Sequence, residues 1–162
     1  ICNLEPLSFD WIGNKLLDFG VTKDRFALVP PMELEDYIKL QNKVDLHLDS
    51  WPYTGGTTTA YAIEKTLPTI TLSGKSVVEN QSSGILKNIG FQDTIVNNEY
   101  DYVRLAVSLR ENPQELSKLK NKLKVSALNF IENQNLANNH MDNHMENLLL
   151  NVWKNYCADN VT

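Results

Sequence analysis

The sequence predicts an α/β domain built on a parallel sheet, with a helical annex at its C-terminal end. Strand-like and helix-like segments alternate through residues 1–98 with short connections, the pattern of βα units that feed a parallel sheet. Beyond Gly90 no glycine occurs, and the pattern from Tyr100 onward is helical with no β-rich stretch. The 162 residues, 42% apolar and 22% charged, suffice for one ordinary core and lie in the globular range. The expected organisation is therefore a single domain, with βα units over 1–98 and helices over 99–162 packed on it.

Phe9, Ile12, Leu16, Leu17 and Phe19 keep helical spacing, and Gly20 follows at the position of a C-cap. Arg25 to Val29 reads as a short buried strand, broken by Pro30-Pro31. Met32 to Gln41 is helical, with Glu33, Glu35 and Asp36 in the first turn complementing the helix dipole. Val44 to Asp49, Thr69 to Leu72 and Thr94 to Val96 are expected strands, for a total of four or five. Between them lie helices over Thr57 to Lys65 and Val77 to Ile89, the latter ended by Gly90. Further helices are expected near 99–110, 114–130 and 138–157. Ile1 to Leu4 reads as the tail of a strand, so the chain is expected to be a piece of a longer polypeptide.

A net charge of −5 with scattered Lys and Arg argues against a nucleic-acid surface, so an anionic ligand must be held without a basic patch. Cys2 and Cys157 form no disulfide framework and fit a reducing compartment. No apolar run approaches the roughly 18 residues of a membrane span, and no signal peptide is evident. A soluble, cytoplasmic protein is the expectation.

One segment carries the chemistry. The strand ending at Asp49 runs through Ser50-Trp51-Pro52-Tyr53-Thr54 into Gly55-Gly56-Thr57-Thr58-Thr59, where a helix begins. Glycines let backbone approach a ligand closely, and a helix N-terminus attracts an anion through its amides and dipole. Threonine hydroxyls add donors. The loop after the carboxyl end of a strand is also where open α/β sheets bind ligands. The same residues equally make a plain turn with one Thr as N-cap. The Gly-Lys-Ser/Thr ending of a Walker loop and the third glycine of a dinucleotide fingerprint are both absent.

Asp45, Asp49, Trp51-Pro52-Tyr53 and Gly55-Gly56-Thr57-Thr58 are followed in order by Leu67 to Gly74, Ser82 to Phe91 and Val152 to Tyr156. In this order and spacing they resemble the nucleotide-sugar-binding C-terminal half of the O-GlcNAc transferase-like glycosyltransferases, including those of the HMW1C type. Upstream, Gly20-Val21 and Arg25-Phe26 fit as well, so the likeness covers nearly the whole chain.

The resemblance implies a GT-B fold with two Rossmann-like halves, this chain being the second. It implies inverting transfer of GlcNAc or a hexose from a UDP-sugar to a protein side chain, with no essential metal or cofactor. By position, Thr57 and Thr58 would hold the diphosphate and Gly55 and Gly56 would shape the loop. The backbone near Met32 would meet the uracil, and Glu79 would contact donor or sugar. Tyr61 stands where the family commonly has a ribose-binding acid. Tyr37 stands where a His is frequent, either stacking on the base or packing. Leu34 replaces a basic residue and Asn80 an Arg found in some members. The catalytic base and the acceptor surface are expected outside this chain. A UDP-sugar epimerase-like domain and a degenerate interaction module are the alternatives.

Other candidates read more plainly. His140 and His144 flank Asp142 at a spacing that suits one helix face, without a third metal ligand. His47, between Leu46 and Leu48, reads as a structural histidine and Cys157 as a packed or surface thiol. Trp51 and Tyr53 are either core aromatics or the lining of a donor site. Asp45 and Asp49 read as turn and cap groups, and Lys118, Lys120, Lys122 and Lys124 as a solvated helix region.

Overall fold

A computed structural model describes the backbone of residues 5–137 and 141–160, and the side chains of 5–133 and 146–158. The strand tail expected at Ile1 to Leu4, together with His140, lies outside the described residues, as does the side chain of His144. The chain divides into two compact units, 1–44 and 45–162.

In the first unit a 3-10 turn, Pro6–Ser8, leads into α1 (Phe9–Asp18). Gly20, at φ 78°, ends α1: its N–H donates to the Leu17 carbonyl and that of Val21 to Leu16, both at 2.9 Å. This is the paired bonding of a Schellman cap, which a left-handed glycine permits. The strand expected at Arg25 to Val29 does not form. A 3-10 turn occupies Lys23–Arg25, and Phe26, although extended, joins no ladder among the described residues. The adjoining Pro30-Pro31 has no N–H with which to build one. Helix α2 (Leu34–Gln41) follows, with Glu35 and Asp36 in its first turn.

The second unit holds a sheet of three parallel strands in the order β1 (His47–Leu48), β2 (Thr69–Leu72), β3 (Ile95–Val96). His47 pairs with Thr69 and Leu48 with Ile70, then Thr71 with Ile95 and Leu72 with Val96. Central β2 matches its expected bounds and is buried from Thr69 to Thr71, as a strand covered on both faces must be. The edge strands are shorter than expected, and the described sheet has three strands rather than four or five. Leu48, on the edge, is 53% exposed.

Helix α3 (Thr57–Glu64) links β1 to β2, and α4 (Gln81–Asn88) links β2 to β3. The single helix expected over Val77 to Ile89 is broken: Val78–Asn80 forms a 3-10 turn and α4 begins at Gln81. The cause is Asn80, whose amide donates to the carbonyls of Gly74 and Ser76 at 2.9 and 2.8 Å, a local competition that disfavours continuous helix. Gly90, at φ 74°, closes α4 with a second Schellman cap, and Phe91, the residue after it, is fully buried. Helix α5 (Glu99–Glu111) packs on β2 and β3, and α6 (Pro113–Ala137) packs on α3 and α5. Helix α7 spans Met141–Asn160. The core of this unit is Ile63, Leu86, Phe91 and Leu123, ringed by Ile85, Ile89, Ile95, Leu119 and Ala127. Among the described residues no helix is long and apolar enough to cross a membrane.

Candidate functional site

The loops that leave the carboxyl ends of β1 and β2 meet in the second unit, and their polar groups are stitched together. Asp49, at the end of β1, is buried. Its Oδ1 accepts the Gly55 N–H at 2.8 Å, and its Oδ2 accepts the Thr71 hydroxyl at 2.7 Å. The Asp49 carbonyl accepts the Tyr102 hydroxyl from α5, also at 2.8 Å. Burial first, and then the charge of Asp49, push the Tyr102 phenol up to about 12. Asp49 thus organises the loop, as its reading as a turn group anticipated.

The β1–α3 loop is tied equally firmly to α4. Thr54, wholly buried, donates its hydroxyl to the Val78 carbonyl at 2.8 Å and accepts the Gln81 N–H at 3.1 Å, capping the start of α4. The Ser82 hydroxyl contacts the Gly55 carbonyl and Thr59 Oγ1, each at 2.7 Å. A Cβ on Gly55 would fall 2.5 Å from Thr58 Oγ1, which explains a glycine here in terms of close approach.

At the mouth of α3 the three threonines differ. Thr57 is exposed, Thr58 is half-buried, and Thr59 is fully buried with its hydroxyl committed to the fold. Among the described residues no side chain caps the first turn, and the first amide in the helical ladder is that of Ala60, which donates to Gly56. The amides that precede it in a helix have no intrahelical acceptor. The plain-turn reading, in which a threonine serves as N-cap, is replaced by a Gly56 N-cap without a cap bond. Helix dipole, uncapped amides and the hydroxyls of Thr57 and Thr58 together present donors suited to an anion.

Tyr61 lies on α3 one turn after Thr57 and Thr58, half-buried. Glu79 lies in the adjoining β2–α4 loop, where its Oε2 accepts the N–H groups of Lys75 and Ser76, each at 2.7 Å, and the Glu79 N–H donates to the Ser76 hydroxyl at 3.4 Å. Ser76 and Glu79 therefore form a capping box, whose Ser-x-x-Glu signature is visible in the sequence. The Ser76 and Lys75 amides hold its carboxyl below the usual range. Asn80 anchors the same loop, accepting from the Ser73 hydroxyl at 2.6 Å. Gly55, Gly56, Thr57, Thr58, Tyr61 and Glu79 all belong to the second unit, whereas Met32 and Tyr37 belong to the first. Tyr37 is buried on α2, and half-buried Met32 lies just ahead of it.

Trp51 and Tyr53 are exposed rather than core residues. The lysine-rich run of α6 is more than a solvated face, because Lys120 reaches Asp45 at 2.9 Å and Lys122 reaches Asp93 at 2.6 Å. Lys120 holds the Asp45 carboxyl below its usual range. His47 Nδ1 meets the Thr69 hydroxyl at 3.0 Å, a satisfied structural histidine whose burial lowers its pKa despite nearby Asp49. Surface clefts lie along α5, beside Val103 and Val107, and at the α5–α6 corner, beside Leu46 and Pro113. Among the described residues no group of three His, Cys, Asp or Glu side chains is placed to hold a metal ion.

A parallel sheet whose first loop opens a helix through paired glycines defines a Rossmann-like α/β domain. The glycosyl transferase family 41 model matches residues 10–136, and the chain belongs to that family. A probable UDP-N-acetylglucosamine–peptide N-acetylglucosaminyltransferase SPINDLY from Petunia hybrida is 30% identical over 129 residues, covering 76% of this chain and 14% of that protein. The protein of the same description from Solanum lycopersicum is 26% identical, covering 99% of this chain and 18% of its own length. Among solved structures, a mutant of the Thermobaculum terrenum O-GlcNAc transferase matches with a TM-score of 0.72 and 26% identity, over 78% of this chain and 24% of that one. The matched region has the α/β architecture of a GT-B half. The chain spans less than a fifth of the length of these curated relatives.

Proposed function

We propose that the chain is the donor-binding domain of a glycosyltransferase that moves GlcNAc or a hexose from a UDP-sugar to a protein side chain. The observation that carries this reading is the uncapped mouth of α3 at the carboxyl edge of the sheet, with the Thr57 and Thr58 hydroxyls beside it. The diphosphate sits against these donors and needs no lysine or arginine. The Gly55 amide is occupied by Asp49, so binding falls to the first turn of α3 instead. Its role in transfer is electrostatic: the positive helix end offsets charge that accumulates on departing UDP, and the gain grows toward the transition state. Inversion at the sugar carbon, without a metal, completes the proposal, with base and acceptor surface supplied from outside this chain. Membership of family 41, and relatives described as probable UDP-N-acetylglucosamine–peptide N-acetylglucosaminyltransferases, support it.

Calorimetric titration of UDP into the chain tests this directly. Saturable heat is expected. No heat at high protein concentration, with a folded circular-dichroism spectrum, overturns the reading in favour of an interaction module that has lost its donor.

A further inference from the structure

Gly55 is held from both sides. Its N–H donates to Asp49 Oδ1 at 2.8 Å, while its carbonyl accepts the Ser82 hydroxyl at 2.7 Å and that of Thr59 at 3.3 Å. The carboxylate comes from the end of β1 and the serine from the start of α4, so two secondary elements fix the two successive peptide groups that flank the Gly55 Cα. The second of these, Gly55–Gly56, leads into the N-cap, and its orientation sets where the first amides of α3 point. The Asp49 side chain has a second anchor in the Thr71 hydroxyl at 2.7 Å, and its carbonyl a third in Tyr102. A residue tied to β2 through its carboxylate and to α5 through its backbone carbonyl is a rigid post, unlike a surface side chain that must be ordered when ligand arrives.

We propose that Asp49 and Ser82 are positioning residues for the donor diphosphate, clamping the backbone on both sides of Gly55 so that the mouth of α3 is preformed before ligand binds. The inference rests on the donor-binding reading above. Neither side chain touches the diphosphate. Asp49 spends its acceptors on Gly55 and Thr71, which keeps the carboxylate turned inward from the helix mouth.

UDP titrations of the full chain test the clamp. Asp49→Ala is expected to weaken UDP about tenfold or more, since it unfastens a charge-assisted hydrogen bond. Asp49→Asn, which keeps an acceptor for Gly55 and a partner for Thr71, is expected to stay within about threefold of wild type. Leu123→Val trims the core against Ile63, at the far end of α3, and serves as a control that lowers the melting temperature and leaves UDP affinity unchanged. Should Asp49→Ala fail to fold, Ser82→Ala releases Gly55 from its carbonyl side and carries the test, with a loss of about threefold expected. If wild type binds UDP and the alanine variants bind equally well, the clamp is refuted while the donor site stands. Equal weakening by Leu123→Val, or an Asn variant as weak as the Ala one, refutes it as well. A wild type that binds no UDP removes the donor-binding reading itself.

Discussion

The hydroxyls of Thr59 and Ser82 meet at 2.7 Å in full burial, joining the first turns of α3 and α4. One residue earlier, Thr58 is half-buried with no such bond. Neighbouring threonines of one motif are thereby assigned to different work. Thr59→Val keeps the volume and removes the hydrogen bond, and is expected to lower stability by about 1–2 kcal/mol. Thr58→Val is expected to leave stability within about 0.5 kcal/mol and weaken UDP by roughly 1–3 kcal/mol through an unpaired diphosphate oxygen. Urea melts and UDP titrations of both variants check the division. A Thr58 variant with wild-type UDP affinity takes that hydroxyl out of the site.

Gly55 makes a second test, and it needs no ligand. An added Cβ would lie 2.5 Å from Thr58 Oγ1, 2.7 Å from Thr59 Oγ1 and 3.2 Å from Asp49 Oδ1. Thr59 is held by Ser82 and Asp49 by Thr71, so neither neighbour yields cheaply. Gly55→Ala is expected to destabilise by about 1–3 kcal/mol, the usual range for overpacking. A urea midpoint equal to that of wild type would show that the loop relaxes around the methyl group.

How much of this was legible in the sequence follows from where each signal resides. Thr69 to Leu72 stands out because a doubly covered strand is apolar or β-branched at every position, and Gly20 and Gly90 mark helix ends because the left-handed conformation favours glycine. The glycine-threonine loop was legible as a helix start. The strand expected at Arg25 to Val29 does not form, and the sequence does not signal this because apolar residues ahead of a proline pair look alike whether or not a ladder receives them. The break at Asn80, the Thr54 cap and the Ser82 bond to Gly55 depend on residues 24 to 28 positions apart or on side-chain hydrogen bonding, and carry no periodicity. Glu79 had a local signature in its Ser-x-x-Glu capping box, and that signal accounts for its observed bonds.

Stability is expected to depend on pH through His47. Burial depresses its native pKa below 6.5, with the Asp49 charge opposing in part. The unfolded chain therefore binds the proton more readily. The contribution is fully present above 6.5 and is lost as the pH falls from there through the lower native value. Urea midpoints measured from pH 8 down to about pH 5 should drop for wild type, and drop less for His47→Gln. Parallel declines in the two proteins would assign the effect to other groups.

Helix α3 ends on a residue poorly suited to its place. Thr66 has φ 54°, its N–H donates to the Ile63 carbonyl at 2.9 Å, and the next N–H, of Leu67, donates to Ala62 at 2.8 Å. These are the bonds that Gly20 and Gly90 make at the ends of α1 and α4, here imposed on a β-branched residue. Burial of Ala62 and Leu67 on either side holds the turn in register. A left-handed conformation costs an L-residue roughly 1–2 kcal/mol, and the extra freedom of glycine in the unfolded chain returns part of that. Thr66→Gly is therefore expected to raise stability by about 1 kcal/mol, and Thr66→Ala to fall short of it because a Cβ remains. Thermal and urea melts of the two variants decide the matter, and a glycine variant less stable than wild type would mean that the Thr66 side chain contributes more than its backbone strain removes.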